Sequence, residues 1–111
     1  NIDALNSYNT ALPLYKQIGA ILGQANCIRS LGLCFIRDNS TDAGIAGIKA
    51  GISEVFRAIK LYEQIRDNYS IGAAYKQLGH ELEGKAGFQE EALEYKKKGQ
   101  EILDSIERAL P

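Results

Sequence analysis

The chain reads as an all-α array of antiparallel αα-hairpins with five helices, and two observations carry that reading. Apolar residues recur at three- and four-residue spacing along most of its length, the period of a helix with one buried face. The 22 residues from Ala11 to Gly32, ALPLYKQIGAILGQANCIRSLG, also return without a gap from Ala58 to Gly79 as AIKLYEQIRDNYSIGAAYKQLG, at an offset of 47. Seven pairs are identical: Ala11/Ala58, Leu14/Leu61, Tyr15/Tyr62, Gln17/Gln64, Ile18/Ile65, Leu31/Leu78 and Gly32/Gly79. Average composition would supply about one or two. Internal similarity of this kind implies units that bury their apolar faces on one another.

The first helix is expected over residues 2–18, with Leu5, Tyr8, Ala11, Leu12, Tyr15 and Ile18 on one face. Pro13 lacks the N–H that would bond to Asn9 and kinks this helix, which ends at Gly19. A second helix over 21–36 buries Leu22, Ala25, Ile28, Leu31, Gly32 and Phe35. Asp38 to Asp42 then forms a turn rich in capping side chains. A long third helix runs from Thr41 or Asp42 to Arg66, with Ile45, Ile48, Ile52, Val55, Ile59 and Tyr62 on its apolar stripe. Gly44, Gly47 and Gly51 share one side of it, each costing about 1 kcal/mol against Ala in a helix, and imply close approach of a neighbouring helix. After the Asp67-Asn68 turn, a fourth helix extends to Glu83 and buries Tyr75, Leu78, Gly79 and Leu82. The fifth, from Phe88 to Leu110, places Phe88, Ala92, Tyr95, Gly99, Ile102, Ile106 and Leu110 on one face. Connections this short make neighbouring helices antiparallel.

Composition narrows the function. The 111 residues form a single domain, and 45% hydrophobic with 24% charged residues is ordinary for a globular chain. A net charge of −1 gives no reason to expect nucleic acid. The run Lys96-Lys97-Lys98 lies among Glu90, Glu91, Glu94 and Glu101 and reads as a solvated helix face. Cys27 and Cys34 stand seven residues apart on one helix, about 10 Å along its axis, too far to bond to each other. Unpaired thiols of this kind suggest buried small apolar groups in a reducing, cytoplasmic setting. No apolar run approaches membrane-spanning length, so no membrane partner is expected. A chain that starts at Asn1 without any Met is expected to be a segment of something longer.

The residues resemble the tetratricopeptide repeat, a pair of antiparallel helices of about 34 residues. Its first helix carries a bulky residue, then Leu-Gly, then another bulky residue, matched by Ile28, Leu31-Gly32 and Phe35, and by Tyr75, Leu78-Gly79 and Leu82. Its second begins with Ala followed by an aromatic, matched by Ala11 with Tyr15, Ala58 with Tyr62 and Ala92 with Tyr95, and Ala58 to Ala92 is one family period of 34. The spacing from Ala11 to Ala58 is 13 longer than that period, the excess falling in the Gly-rich start of the third helix. The resemblance implies about two and a half helix pairs over 1–111, stacked as a right-handed superhelix.

It also implies a protein-binding or scaffolding module that takes a peptide or helix in a concave groove. By helical phase the groove residues are Asn26, Arg29, Leu33 and Ile36 in one repeat and Ala73, Lys76, His80 and Glu83 in the next. Arg29 and Lys76 side by side would favour an acidic ligand, with Leu33, Ile36 and Ala73 giving apolar contact. The family's carboxylate-gripping clamp needs Asn where this chain has Leu33 and His80, so that ligand is not expected. The first alternative is self-association into a homo-oligomer through Ile102, Ile106 and Leu110 of the fifth helix, with an enzyme a distant second. No catalytic residue, metal site or cofactor is predicted: there is one histidine, no Gly-rich phosphate loop, and Gln77 stands where a di-iron motif needs Glu.

Overall fold

The computed structural model describes residues 20–40 and 44–111, which form four α-helices and, among the described residues, no strand. The expected first helix, residues 2–18, and the start of the third at Thr41 or Asp42 lie outside the described residues. The helices are α1 (Ile21–Asp38), α2 (Ile45–Gln64), α3 (Asn68–Leu82) and α4 (Gln89–Ala109). Each boundary has a local cause. At the end of α1, the Asn39 side-chain amide donates to the Phe35 carbonyl at 2.6 Å. Beyond α2, Arg66 takes a left-handed backbone with φ 55, letting Arg66 N–H reach Glu63 O and Asp67 N–H reach Tyr62 O. Those two bonds close the last carbonyls of the helix and turn the chain sharply. Asp67 then caps α3, one carboxylate oxygen accepting from Ser70 N–H at 3.0 Å and the other from Ser70 Oγ at 2.6 Å.

The helices pair as α1 with α2 and α3 with α4, antiparallel in each case, and glycines set how closely they cross. A Cβ on Gly51 would lie 2.5 Å from the Gly32 carbonyl oxygen, and one on Gly32 would lie 2.7 Å from that of Gly51. In the second hairpin a Cβ on Gly79 would lie 2.7 Å from Ala92 O, and one on Gly99 would lie 2.6 Å from Gly72 O. Such separations admit no side chain. The close packing expected of Gly51 is therefore met, while Gly44 precedes α2 and, with Gly47, accommodates the Asn39 side chain.

The second hairpin stacks beside the first, with α3 packed on both α1 and α2. Ile28, Ile36, Ile48, Val55, Ile59, Tyr62, Leu78 and Leu82 are the largest fully buried side chains, drawn from three helices into one core. Phe56 of α2 bridges to the second hairpin, its ring edge-on to Tyr75 at 5.9 Å and to Tyr95 at 5.6 Å between centroids. The assembly measures 45 × 36 × 17 Å, a slab only two helices thick.

The structure corrects part of the expected core. Ala25, Ile28 and Gly32 are buried as expected, but Leu22 and Phe35 are 45% and 38% exposed, because the stripe of α1 that meets α2 runs through Ala25, Gly32 and Ile36 and leaves Phe35 at its margin. That turns the packed face from Phe35 toward Ile36 while Ile28 stays within it. The two thiols change accordingly: Cys27 and Cys34 are half-buried and not core groups.

Candidate interaction surface

The rotation of α1 redistributes the residues expected to line a groove. Leu33 and Ile36 are buried in the core, Ile36 lying against Gly51 of α2, so neither offers apolar contact to a ligand. Asn26 is exposed but turned toward the far end of α2, its Oδ1 accepting a hydrogen bond from the Tyr62 hydroxyl. Arg29 places its guanidinium over the Tyr62 ring, 5.5 Å from the centroid. Lys76 runs its stem along Gly99 of α4. The expected pair of cations on one wall is thus replaced by two side chains drawn against α2 and α4. His80 and Glu83 are exposed and Ala73 half-buried, at the side of α3 where no described helix follows.

What does face outward between α1 and α3 follows from helical phase. Residues opposite Gly32 and Ile36 on α1 are Cys27, Ser30 and Cys34; those opposite Gly72 and Gly79 on α3 are Ser70, Gln77 and Glu81. All six are exposed or half-buried. At one end of this strip Arg37 of α1 donates to Glu81 of α3 at 2.8 Å, and the contact holds the guanidinium pKa above its ordinary value. Lys85, in the loop after α3, donates to the Asn39 carbonyl at 2.6 Å. These contacts fix the C-terminal ends of α1 and α3 side by side, so the two helices run parallel. Sequence reasoning missed this strip because it set Phe35 beside Ile28 in the packed face; Gly32 was the better marker of its centre, since only glycine admits the closest crossing.

The trailing helices carry the electrostatics elsewhere. The lysine run does not form a patch: Lys96 pairs with Glu83, Lys98 sits 4.9 Å from the Tyr75 ring centroid, and only Lys97 points away. Burial pushes the Tyr62 phenol above its ordinary pKa, with the Arg29 cation working against the shift. Burial likewise raises that of Tyr95, reinforced by Glu94 and Glu91. On α4, Ile102 packs partly on the core, Ile106 is half-buried and Leu110 is 66% exposed, so the row expected for self-association opens toward its C-terminal end. Among the described residues no three His, Cys, Asp or Glu side chains gather as metal ligands, and no helix is long and apolar enough to cross a membrane.

One hollow of about 270 Å³ opens at the outer end of the second hairpin, lined by Glu83, Gln89, Ala92, Leu93 and Lys96. It is open to solvent and holds no arrangement of nucleophile and base. Comparison with known proteins finds no matching family model, no matching curated protein and no matching solved structure.

Proposed function

We propose that the chain is a protein-interaction or scaffolding segment on the tetratricopeptide plan, extending as a superhelical array of five helices. Its outward face of leading helices takes a peptide or helix of another protein. The observation that supports this most is the parallel placement of α1 and α3, held from behind by α2 and α4 and locked by Arg37 and Glu81. Stacked hairpins of this kind spend their core on holding neighbours together and leave an extended surface for recognition. Ser30 and Gln77 supply hydrogen-bonding groups on the strip, and the half-buried Cys27 and Cys34 supply soft apolar contact. With Arg29 and Lys76 engaged elsewhere, the ligand is read as neutral in its central portion and not as acidic.

The test is site-specific photocrosslinking in cells. A benzophenone side chain placed at Ser30 and, separately, at Gln77 is expected to give the same discrete adduct, identified by mass spectrometry. The same group at Lys49, exposed on α2, is expected to give none. Equal labelling from all three positions would refute the proposed face.

A further inference from the structure

The two hairpins superimpose in register, and their differences mark a second surface, separate from the strip just described. Leading helices correspond at an offset of 47, where Gly32 and Gly79 each press on the backbone of the trailing helix. Gly32 meets Gly51 and Val55 where Gly79 meets Ala92 and Lys96, so the trailing helices correspond at 41. By these offsets the five residues lining the terminal hollow, Glu83, Gln89, Ala92, Leu93 and Lys96, are the counterparts of Ile36, Ile48, Gly51, Ile52 and Val55. Ile36, Ile48, Gly51 and Val55 are buried, and Ile52 packs partly on the core. Leu93 instead is 70% exposed, the most open of the large apolar side chains among the described residues.

The hollow therefore occupies a stacking position, but its chemistry has changed. Ile36, Ile48 and Val55 have become Glu83, Gln89 and Lys96, which a dry helix laid over them would strip of water without returning hydrogen bonds. A partner must meet one central leucine together with one acid and one base. A second copy of the same face meets that requirement, because under a two-fold axis every residue that contacts another is contacted by it in return. A net charge of −1 adds little long-range repulsion between copies.

We propose that two copies of the chain associate end to end through the α3/α4 hollows, Leu93 of each entering the hollow of the other while Glu83 and Lys96 exchange partners across the interface. Within each copy Glu83 and Lys96 already pair, so the exchange replaces two pairs within copies by two between them and leaves no charge alone. Apolar contact at the centre and charges at the rim are the arrangement of a reversible interface.

Sedimentation equilibrium tests this. The chain should dimerise, and Leu93→Glu should weaken the dimer by at least about tenfold, or roughly 1.4 kcal/mol. Its circular dichroism melt should not change, since the side chain is exposed. Glu83→Lys alone places two cations on the face and Lys96→Glu alone places two anions, so each variant should remain monomeric. An equimolar mixture of the two should recover a heterodimer that salt weakens. A strict monomer up to about 1 mM would overturn the proposal and leave the hollow to a different protein. So would a dimer indifferent to Leu93→Glu, or a mixture that fails to rescue. None of these results bears on the α1/α3 strip, which crosslinking reads independently.

Discussion

Tyr62 concentrates several interactions in one side chain. Its ring is fully buried, its hydroxyl donates to Asn26, and the Arg29 guanidinium covers it. Tyr62→Phe removes the donor and leaves the ring, and should cost about 0.5–1.5 kcal/mol in a chemical-denaturation measurement at neutral pH. The phenol also makes stability depend on alkaline pH. Its folded pKa is raised above the unfolded value of about 10, so its contribution is complete below pH 10 and is lost as pH rises through the folded value. The thermal midpoint should therefore fall above pH 10, and less steeply in Tyr62→Phe than in the parent chain. Some fall should persist in the variant, because Tyr95 is shifted in the same direction. Parallel descents would show that the phenol of Tyr62 is not the titrating group.

At the scale of the helix, what decides the packing is where one backbone lies against another. Gly51→Ala would gain up to about 1 kcal/mol in helix propensity, yet its Cβ would meet Gly32 O at 2.5 Å and Ile36 Cγ1 at 2.7 Å. Backbone cannot step aside as a flexible side chain can, so α1 and α2 must separate. We expect a net loss of about 1–3 kcal/mol by thermal melt. Gly84→Ala, with nothing within 4 Å of the added carbon, should stay within about 0.5 kcal/mol of the parent and serves as its control. The limits of all four described helices were legible to within a few residues, because caps such as Asp67 and breaks such as Asn39 act locally. The rotation of α1 was not. Ile28 and Phe35 look equally apolar in sequence, but α2 lies over Gly32, and Phe35 is left 38% exposed. That single phase difference moved Leu33 and Ile36 from the expected groove into the core and brought Cys27 and Cys34 toward the surface.

For the whole molecule the joint between hairpins matters most, and Phe56 spans it. The ring touches Tyr75 and Tyr95 edge-on, each such contact contributing about 0.5–1.5 kcal/mol beyond simple burial. Phe56→Ala should destabilise the chain by about 2–4 kcal/mol and raise hydrogen exchange in α3 and α4 more than in α1. Uniform acceleration throughout would mean that the two hairpins open as a unit and that the joint has no separate stability. The repeated hairpin was legible because glycine and alanine recur at fixed offsets. The terminal hollow could be found only by laying one hairpin on the other and asking which buried positions had become open. The thinness of the slab, 17 Å in its shortest direction, has a consequence for how quickly it can form. Among the described residues, nearly every contact between helices joins neighbours along the chain, and the exception, α1 with α3, closes loops of modest length, as between Arg37 and Glu81. Closing such loops costs little entropy, and chains dominated by local pairings cross their folding barrier in microseconds to milliseconds. A newly made first hairpin can thus collapse before the second is complete, and its exposed flank becomes the template on which α3 condenses.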